Sequence, residues 1–292
     1  MQSALYQNCH LCPRECGVNR LAGEKGVCGE TAECRVASSF PHFGEEPFFT
    51  GSSGSGSIFF SGCASRCFFC QNDDVSLGHH GKLVSEQDLY RMAKYLISQK
   101  VQNLNLVTPD HFWPHVEALC ERLRKDGEDL PILYNCSGYS LPAMIRAAAK
   151  WIDIFMPDFK FGEPELARKC MGDARYTELA MESMKEMVNA VGFLRPWDME
   201  GQRLARKGVL VRHLVLPGEV ANSLKVMELL FGSFGQDIPI SLMSQFRPTW
   251  RCRERQMLDR RVTRQEYQQV LDAVHGYGFT HVYAQPMPRM LF

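Results

Sequence analysis

From residue 57 onward, short apolar runs alternate with longer stretches whose apolar positions recur at helical spacing. The runs at 57–60, 103–108, 132–135, 152–156, 209–216, 240–244 and 280–284 are bounded by Gly, Pro, Ser, Asn and Asp. They predict buried strands. Between them, Leu89, Met92, Ala93 and Leu96 fall on one face and predict a helix over 86–98. Further helices are expected over 114–125, with Pro114 in the first turn, and over 141–149, 163–170, 176–191, 222–231 and 264–277. Alternating strand-like and helix-like segments predict an α/β fold around a parallel sheet. Six βα units are fewer than the eight that close a full barrel. The expected fold is therefore a partial (β/α)6 TIM-like barrel, whose lateral gap would admit a large substrate.

Residues 1–50 read differently, as a small Cys-rich metal-binding segment ahead of a barrel domain over 51–292. The stretch Thr50-Gly-Ser-Ser-Gly-Ser-Gly-Ser57 has linker composition. It is either a flexible joint or ordered backbone running into the first strand.

Polar groups stand directly after the apolar runs, on the rim where such barrels place their chemistry. They are Thr108-Pro109-Asp110-His111, Asn135-Cys136-Ser137, Asp158-Phe159-Lys160, Arg212-His213 and Ser244-Gln245. Each alone is ordinary solvation of a strand end, but five on one predicted rim point to a site. Alternation puts Asp158 and Lys160 on one face, as ligand contacts or as an ion pair. Arg212, inside an apolar strand, needs a partner, either an anionic ligand group or a buried salt bridge. His79, His80 and His111 read as surface residues or as acids and bases on the substrate side. Glu45 and Glu46 precede the barrel and are not assigned to the site.

Composition narrows the setting. Lysine plus arginine and aspartate plus glutamate number 33 each, so the formal net charge is zero and nothing favours nucleic-acid binding. The longest apolar stretch, 209–217, is broken by Arg212 and His213, so no membrane span is expected. The opening residues have neither a basic start nor an apolar core, so a signal peptide is not expected and the cytoplasm is the anticipated compartment. In that setting, twelve cysteines argue for metal binding over disulfides.

Seven of those cysteines form two close groups. Cys9, Cys12, Cys16 and Cys28 have the count that a closed tetrahedral site needs, so zinc or an auxiliary Fe–S cluster is expected there. Cys63, Cys67 and Cys70 sit on one short loop after the first barrel strand. A cubane [4Fe–4S] cluster normally takes four thiolates, and this loop supplies three. One iron would then stay open for a ligand such as S-adenosylmethionine (SAM), whose amino and carboxylate groups can chelate it. The competing reading is a zinc site completed by a distant ligand.

The run Cys63-Ala-Ser-Arg-Cys67-Phe-Phe-Cys70 resembles the signature of the radical SAM enzymes. The barrel portion resembles the members related to the pyruvate formate-lyase activating enzyme. The whole chain, with its opening Cys9-His-Leu-Cys12-Pro-Arg-Glu-Cys16, resembles the PflX-like subgroup. The resemblance implies an oxidoreductase in which a [4Fe–4S] cluster on Cys63, Cys67 and Cys70 cleaves SAM reductively. The resulting 5′-deoxyadenosyl radical abstracts hydrogen from a substrate. It implies SAM contacts at Asp158 and Lys160, with Phe69 lining the adenine slot. Asn135, Ser137, Arg212 and Gln245 are further candidate contacts. Activating enzymes carry a Gly-Gly-Glu-type run after the second strand, where this chain has Thr108-Pro109-Asp110, with Thr108 offering its hydroxyl and carbonyl. That departure weakens the specific expectation of glycyl-radical-enzyme activation. The alternatives are modification of a small molecule or another peptide, or a non-catalytic Fe–S electron carrier. A reductant such as flavodoxin or ferredoxin is implied as partner.

Overall fold

The computed structural model describes residues 4–287, so the first residues of the Cys-rich segment and the last of the barrel domain lie outside the described part. After two short 3-10 turns the chain forms β1 (Arg35–His42), α1 (Pro47–Thr50) and β2 (Ser55–Phe60). There follow α2 (Asp73–Ser76), β3 (Lys82–Leu83), α3 (Glu86–Ser98), β4 (Leu104–Val107), α4 (Trp113–Lys125) and β5 (Ile132–Cys136). Next come α5 (Pro142–Ala148), β6 (Ile154–Pro157), α6 (Pro164–Met171), α7 (Tyr176–Val191), β7 (Gly208–Val209) and β8 (Val211–Leu214). The described chain ends with α8 (Val220–Phe234), β9 (Ile240–Met243), α9 (Trp250–Glu254), α10 (Arg264–Gly276) and β10 (Val282–Ala284).

Strands β2, β4, β5 and β6 pair in parallel, and so do β8, β9 and β10. The two sheets meet where Leu210 N donates to Phe155 O (3.0 Å) and Phe159 N to Arg212 O (2.8 Å). The result is one curved wall of parallel strands linked by helical crossovers, the expected partial barrel. Local sequence explains the helices. Ser85 and Asp88 form a reciprocal capping box at the start of α3, and Pro114, Pro142 and Pro164 open α4, α5 and α6. Among the described residues no helix is long and apolar enough to cross a membrane.

Side chains alternate across the wall. Phe155, Val209 and Val211 join the large core under the helices, whereas Leu133, Ile154, Met156 and Leu210 face inward. There they meet Phe48 and Phe49 of α1, both fully buried. Residues 35–50 are thus built into the barrel: β1 lies antiparallel along the outer edge of β2, and α1 fills the inside of the wall. The end of the Gly/Ser stretch is strand. Ser55 and Ser57 are fully buried in β2, and Ser55 Oγ donates to Asn103 Oδ1 (2.5 Å).

Candidate functional site

At the end of β2 the chain turns through Gly62, whose φ of +80° is one that glycine adopts without strain. Space enforces the same choice, because a Cβ there would lie 2.7 Å from Glu30 Cγ and 2.8 Å from the Cys28 carbonyl. The loop that follows is clamped by backbone bonds: Cys63 N to Cys28 O (3.4 Å), Phe68 N to Cys170 O (3.1 Å) and Cys70 N to Cys67 O (3.2 Å). Arg14 ties it from outside, with Nε on Ala64 O (2.9 Å) and Nη2 on Met171 O (2.6 Å).

Cys67 is buried, and Cys63 and Cys70 are half-buried. The three thiols lie within one another's electrostatic reach. Burial raises the Cys67 thiol, and the Lys160 ammonium opposes that rise. Burial would lower the Lys160 ammonium, but Asp158, with Cys67 and Cys70, carries it above its ordinary value. Lys160 and Asp158 are hydrogen-bonded to each other beside the thiols. Ser65 Oγ, inside the cysteine loop, donates to Ser137 Oγ (2.7 Å) at the end of β5. Three strand ends therefore converge on the loop.

Phe69 packs against Phe161 and Phe246 at ring separations of 6.1 and 6.0 Å, which gives the site an apolar wall. Thr108 has φ of +58°, with its N–H on Asn135 O (2.8 Å). Gln245 is exposed at the end of β9 and accepts from Gln285 Nε2 (3.1 Å); its carbonyl takes a bond from Gln71 Nε2 (3.2 Å), just past Cys70. Arg212 is already committed to Glu45 and Glu46, with Nε on Glu46 Oε1 at 2.9 Å. Glu45 also accepts from Asn105 Nδ2 (3.0 Å) and pairs with His42. His111 is fully buried behind the loop, and its Nε2 meets Ser61 O at 2.6 Å. Burial lowers its imidazole to about 3, so it is neutral and Nε2–H is the donor. His79 pairs with Glu30 at 2.8 Å.

Tyr176 carries no signal in the sequence. Its hydroxyl lies 2.9 Å from Ser137 O and 2.7 Å from Asp158 O, and accepts from Lys160 N (2.9 Å). It pins the ends of β5 and β6 in register with the loop.

The N-terminal cysteines also gather. Cys12, Cys16 and Cys28 feel one another's charge, and a Cβ on Gly26 would stand 3.3 Å from Cys16 Sγ and 3.4 Å from Cys28 Sγ. Burial raises Cys12 to about 12 and Cys28 to about 11. Arg20, 1% exposed, sits among them with Nη1 3.8 Å from Cys9 Sγ and 2.6 Å from His111 O. Among the described residues, no group of three or more His, Cys, Asp and Glu side chains is arranged to hold a single metal ion.

Residues 57–230 match the sequence profile of the Radical SAM superfamily. The chain belongs to the radical SAM superfamily. An uncharacterized protein of Methanocaldococcus jannaschii is similar to it, 26% identical over 286 residues that cover 96% of this chain and 78% of that protein. Two crystal structures of Streptococcus suis SuiB are also similar. The one bound to its precursor peptide SuiA has a TM-score of 0.49 and 10% identity, covering 77% of this chain. The one bound to S-adenosylmethionine has a TM-score of 0.45 and 11% identity, covering 80%. This chain spans 46% of the length of each SuiB chain.

Membership of the radical SAM superfamily implies a [4Fe–4S] cluster and SAM. The loop residues fit that group in their chemistry: three thiols on one short loop after a strand, each within electrostatic reach of the others. A close-fitting glycine turn holds them there. For SAM, the loop-side rim offers a cation–carboxylate pair, hydroxyls and an aromatic wall.

Proposed function

We propose that this radical SAM protein is an enzyme whose cluster is held by Cys63, Cys67 and Cys70, and that it is related to the pyruvate formate-lyase activating enzymes through their PflX-like subgroup. When bound, cluster and SAM together supply reductive cleavage to methionine and a 5′-deoxyadenosyl radical that takes hydrogen from a substrate. The observation that carries this reading is the convergence of the three thiols, on the loop after β2, with the Asp158–Lys160 pair at the end of β6. In this reading Lys160 and Asp158 orient SAM through its carboxylate and ribose. Phe69 shields the adenine side, and Thr108, Asn135, Ser137 and Gln245 supply polar contacts. Arg212 acts indirectly, by holding Glu45 and Glu46 inside the barrel wall. The cytoplasm is the proposed compartment, and a reduced flavodoxin or ferredoxin the proposed electron source. The proposed substrate is a peptide segment of a glycyl radical enzyme, with other peptides and small molecules as the alternatives.

The second cysteine group supports a further metal centre on Cys9, Cys12, Cys16 and Cys28, either zinc or Fe–S. Arg20 is a buried guanidinium with no carboxylate partner among the described residues, and charge that deep needs a counter-charge. Metal-bound thiolates would supply it. Metal analysis of the purified protein separates iron alone from iron plus zinc.

The reading as an enzyme is tested by low-temperature EPR of anaerobically reconstituted, reduced protein with and without SAM, together with a 5′-deoxyadenosine assay. A cluster signal that SAM perturbs, product formation, and loss of both in Cys67→Ala are expected. A cluster indifferent to SAM that yields no nucleoside would overturn the reading and favour electron transfer.

A further inference from the structure

A cavity of about 330 Å³ lies beside the cysteine loop, which contributes Arg66 and Phe68 to its lining. Arg14, Arg66, Arg168, Lys169 and Arg255 line it together with Phe68. The chain as a whole is neutral, so five cations around one opening are a strong local concentration. Of these, Arg14 is spent on the Ala64, Ser65 and Met171 carbonyls and Arg168 is paired with Glu165. Glu219 feels the charge of Lys169. Arg66 and Arg255 have no carboxylate partner among the described residues. The Arg66 side chain donates to Val27 O (3.2 Å), and Arg255 lies over the Phe68 ring at 4.9 Å.

The position matters as much as the charge. Phe68 directly follows Cys67, and its ring meets Phe69 edge-on at 5.6 Å. Val27, exposed on the same rim, directly precedes Cys28, whose carbonyl bonds Cys63 N. The other sides of the loop are taken: Gly62 is pressed against Glu30 and Cys28, Phe69 against Phe161 and Phe246, and the strand-end side holds Asp158 and Lys160. The basic opening is a solvent-facing side of the loop, reached at Arg66 and Phe68, which flank Cys67.

We propose that this basic rim docks a small acidic one-electron carrier protein, which delivers its electron to the cluster on Cys63, Cys67 and Cys70. The proposal rests on the radical SAM reading above. In the transfer the carrier is oxidised by one electron and the iron–sulfur cluster is reduced by one, with no proton moved. Exposed cations on long side chains suit a protein partner better than a small anion. Such rim charges steer encounter and set its salt dependence, whereas a small-anion site needs buried, preorganised donors. An exposed apolar residue, Val27, beside the cations adds the uncharged contact that a docking surface uses.

The test is the double charge reversal Lys169→Glu/Arg255→Glu in the full chain, with flavodoxin as probe. Neither residue belongs to the proposed cluster or SAM contacts. Titration of oxidised flavodoxin against reconstituted protein is expected to show binding that weakens with salt, and about tenfold further in the variant. The concentration of reduced flavodoxin needed for half-maximal 5′-deoxyadenosine formation is expected to rise by a similar factor, while the dithionite-driven rate stays unchanged. Flavodoxin binding that is absent, or indifferent to the variant, overturns the docking proposal. So does a variant that loses affinity for inorganic phosphate but not for flavodoxin, which would mark a small-anion site. Absence of dithionite-driven product from the unmodified protein would sink the radical reading instead, and the binding titration still decides the docking surface.

Discussion

Replacing Arg212 by Met should destabilise the protein by about 3–5 kcal/mol at pH 7.5, the usual cost of removing one member of a buried ion pair. The figure follows from what the guanidinium holds. Its side chain is 11% exposed, and those of Glu45 and Glu46 are 6% and 4% exposed. It bonds Glu46 through Nε (2.9 Å) and Nη2 (2.5 Å), and reaches Glu45 as well. Burial pushes the Glu45 carboxyl up, but Arg212 and His42 outweigh it and leave it at about 2 against an ordinary 4.5. A carboxyl depressed in the folded state contributes stability above its unfolded value and loses it as pH falls through the folded one. For Glu45 that is about 3 kcal/mol, present above pH 4.5 and lost toward pH 2.

Without Arg212 the sign inverts. Burial is the largest influence on the Glu45 carboxyl, and with Arg212 gone only His42 opposes it, so that carboxyl would titrate above its unfolded value and the variant should gain stability as pH falls. Urea denaturation of the anaerobic holoprotein, followed by circular dichroism at pH 7.5 and 5.5, reads both effects. The deficit should shrink by about 1 kcal/mol at the lower pH. Glu46→Gln in the Arg212→Met background should recover part of the loss. A deficit under about 1 kcal/mol at pH 7.5, or one that does not change with pH, would refute the argument that this cluster is a charge-balanced strut.

Gly62→Ala places a Cβ 2.7 Å from Glu30 Cγ and forces φ of +80° on a residue that disfavours it. We expect a loss of about 1–3 kcal/mol and less iron per chain after reconstitution; unchanged iron content and stability would show that the turn tolerates the change. His213 is fully buried between Phe159 O (2.7 Å to Nδ1) and Ser223 Oγ (2.9 Å to Nε2), and burial lowers its imidazole from 6.5 to about 4. A histidine depressed in the folded state contributes stability above pH 6.5 that is lost as pH falls toward 4, here about 3 kcal/mol. The urea midpoint should therefore drop across that window, and His213→Asn should flatten the slope. An identical slope in the variant would assign the acid sensitivity elsewhere.

Much of the barrel was legible because its strands and helices bury continuous apolar runs with clear local caps. The helices over 86–98 and 176–191 match α3 and α7 residue for residue. The strands came within one to two residues at most ends, except that 209–216 divides into β7 and β8. There the chain leaves its pairing with β6 and passes to β9. β1 went unread. Its outward positions are polar, it contains Pro41, and its partner β2 begins inside a Gly/Ser run with linker composition. α1 is a single turn, too short for any periodic signal.

The candidate site divides in the same way. The cysteine triad and the Asp158–Lys160 pair are local patterns, readable because a ligand set on one loop and two side chains on one strand face depend only on spacing. The ion-pair option for Arg212 was equally readable, but its partners were not. Glu45 and Glu46 lie more than a hundred residues away, and only closure of the wall around α1 brings them to it. The same holds for Tyr176, which reads as a helix residue and becomes the clasp between two strand ends. It holds too for the basic opening, assembled from Arg14, Arg66, Arg168, Lys169 and Arg255 on separate segments. By itself the sequence determined the element pattern, the cysteine spacing and the superfamily resemblance, since these rest on neighbours along the chain. Only the tertiary structure decided which charges meet, what fills the barrel and where the basic opening forms. Those depend on contacts between distant residues, which burial and charge balance select once the wall has closed.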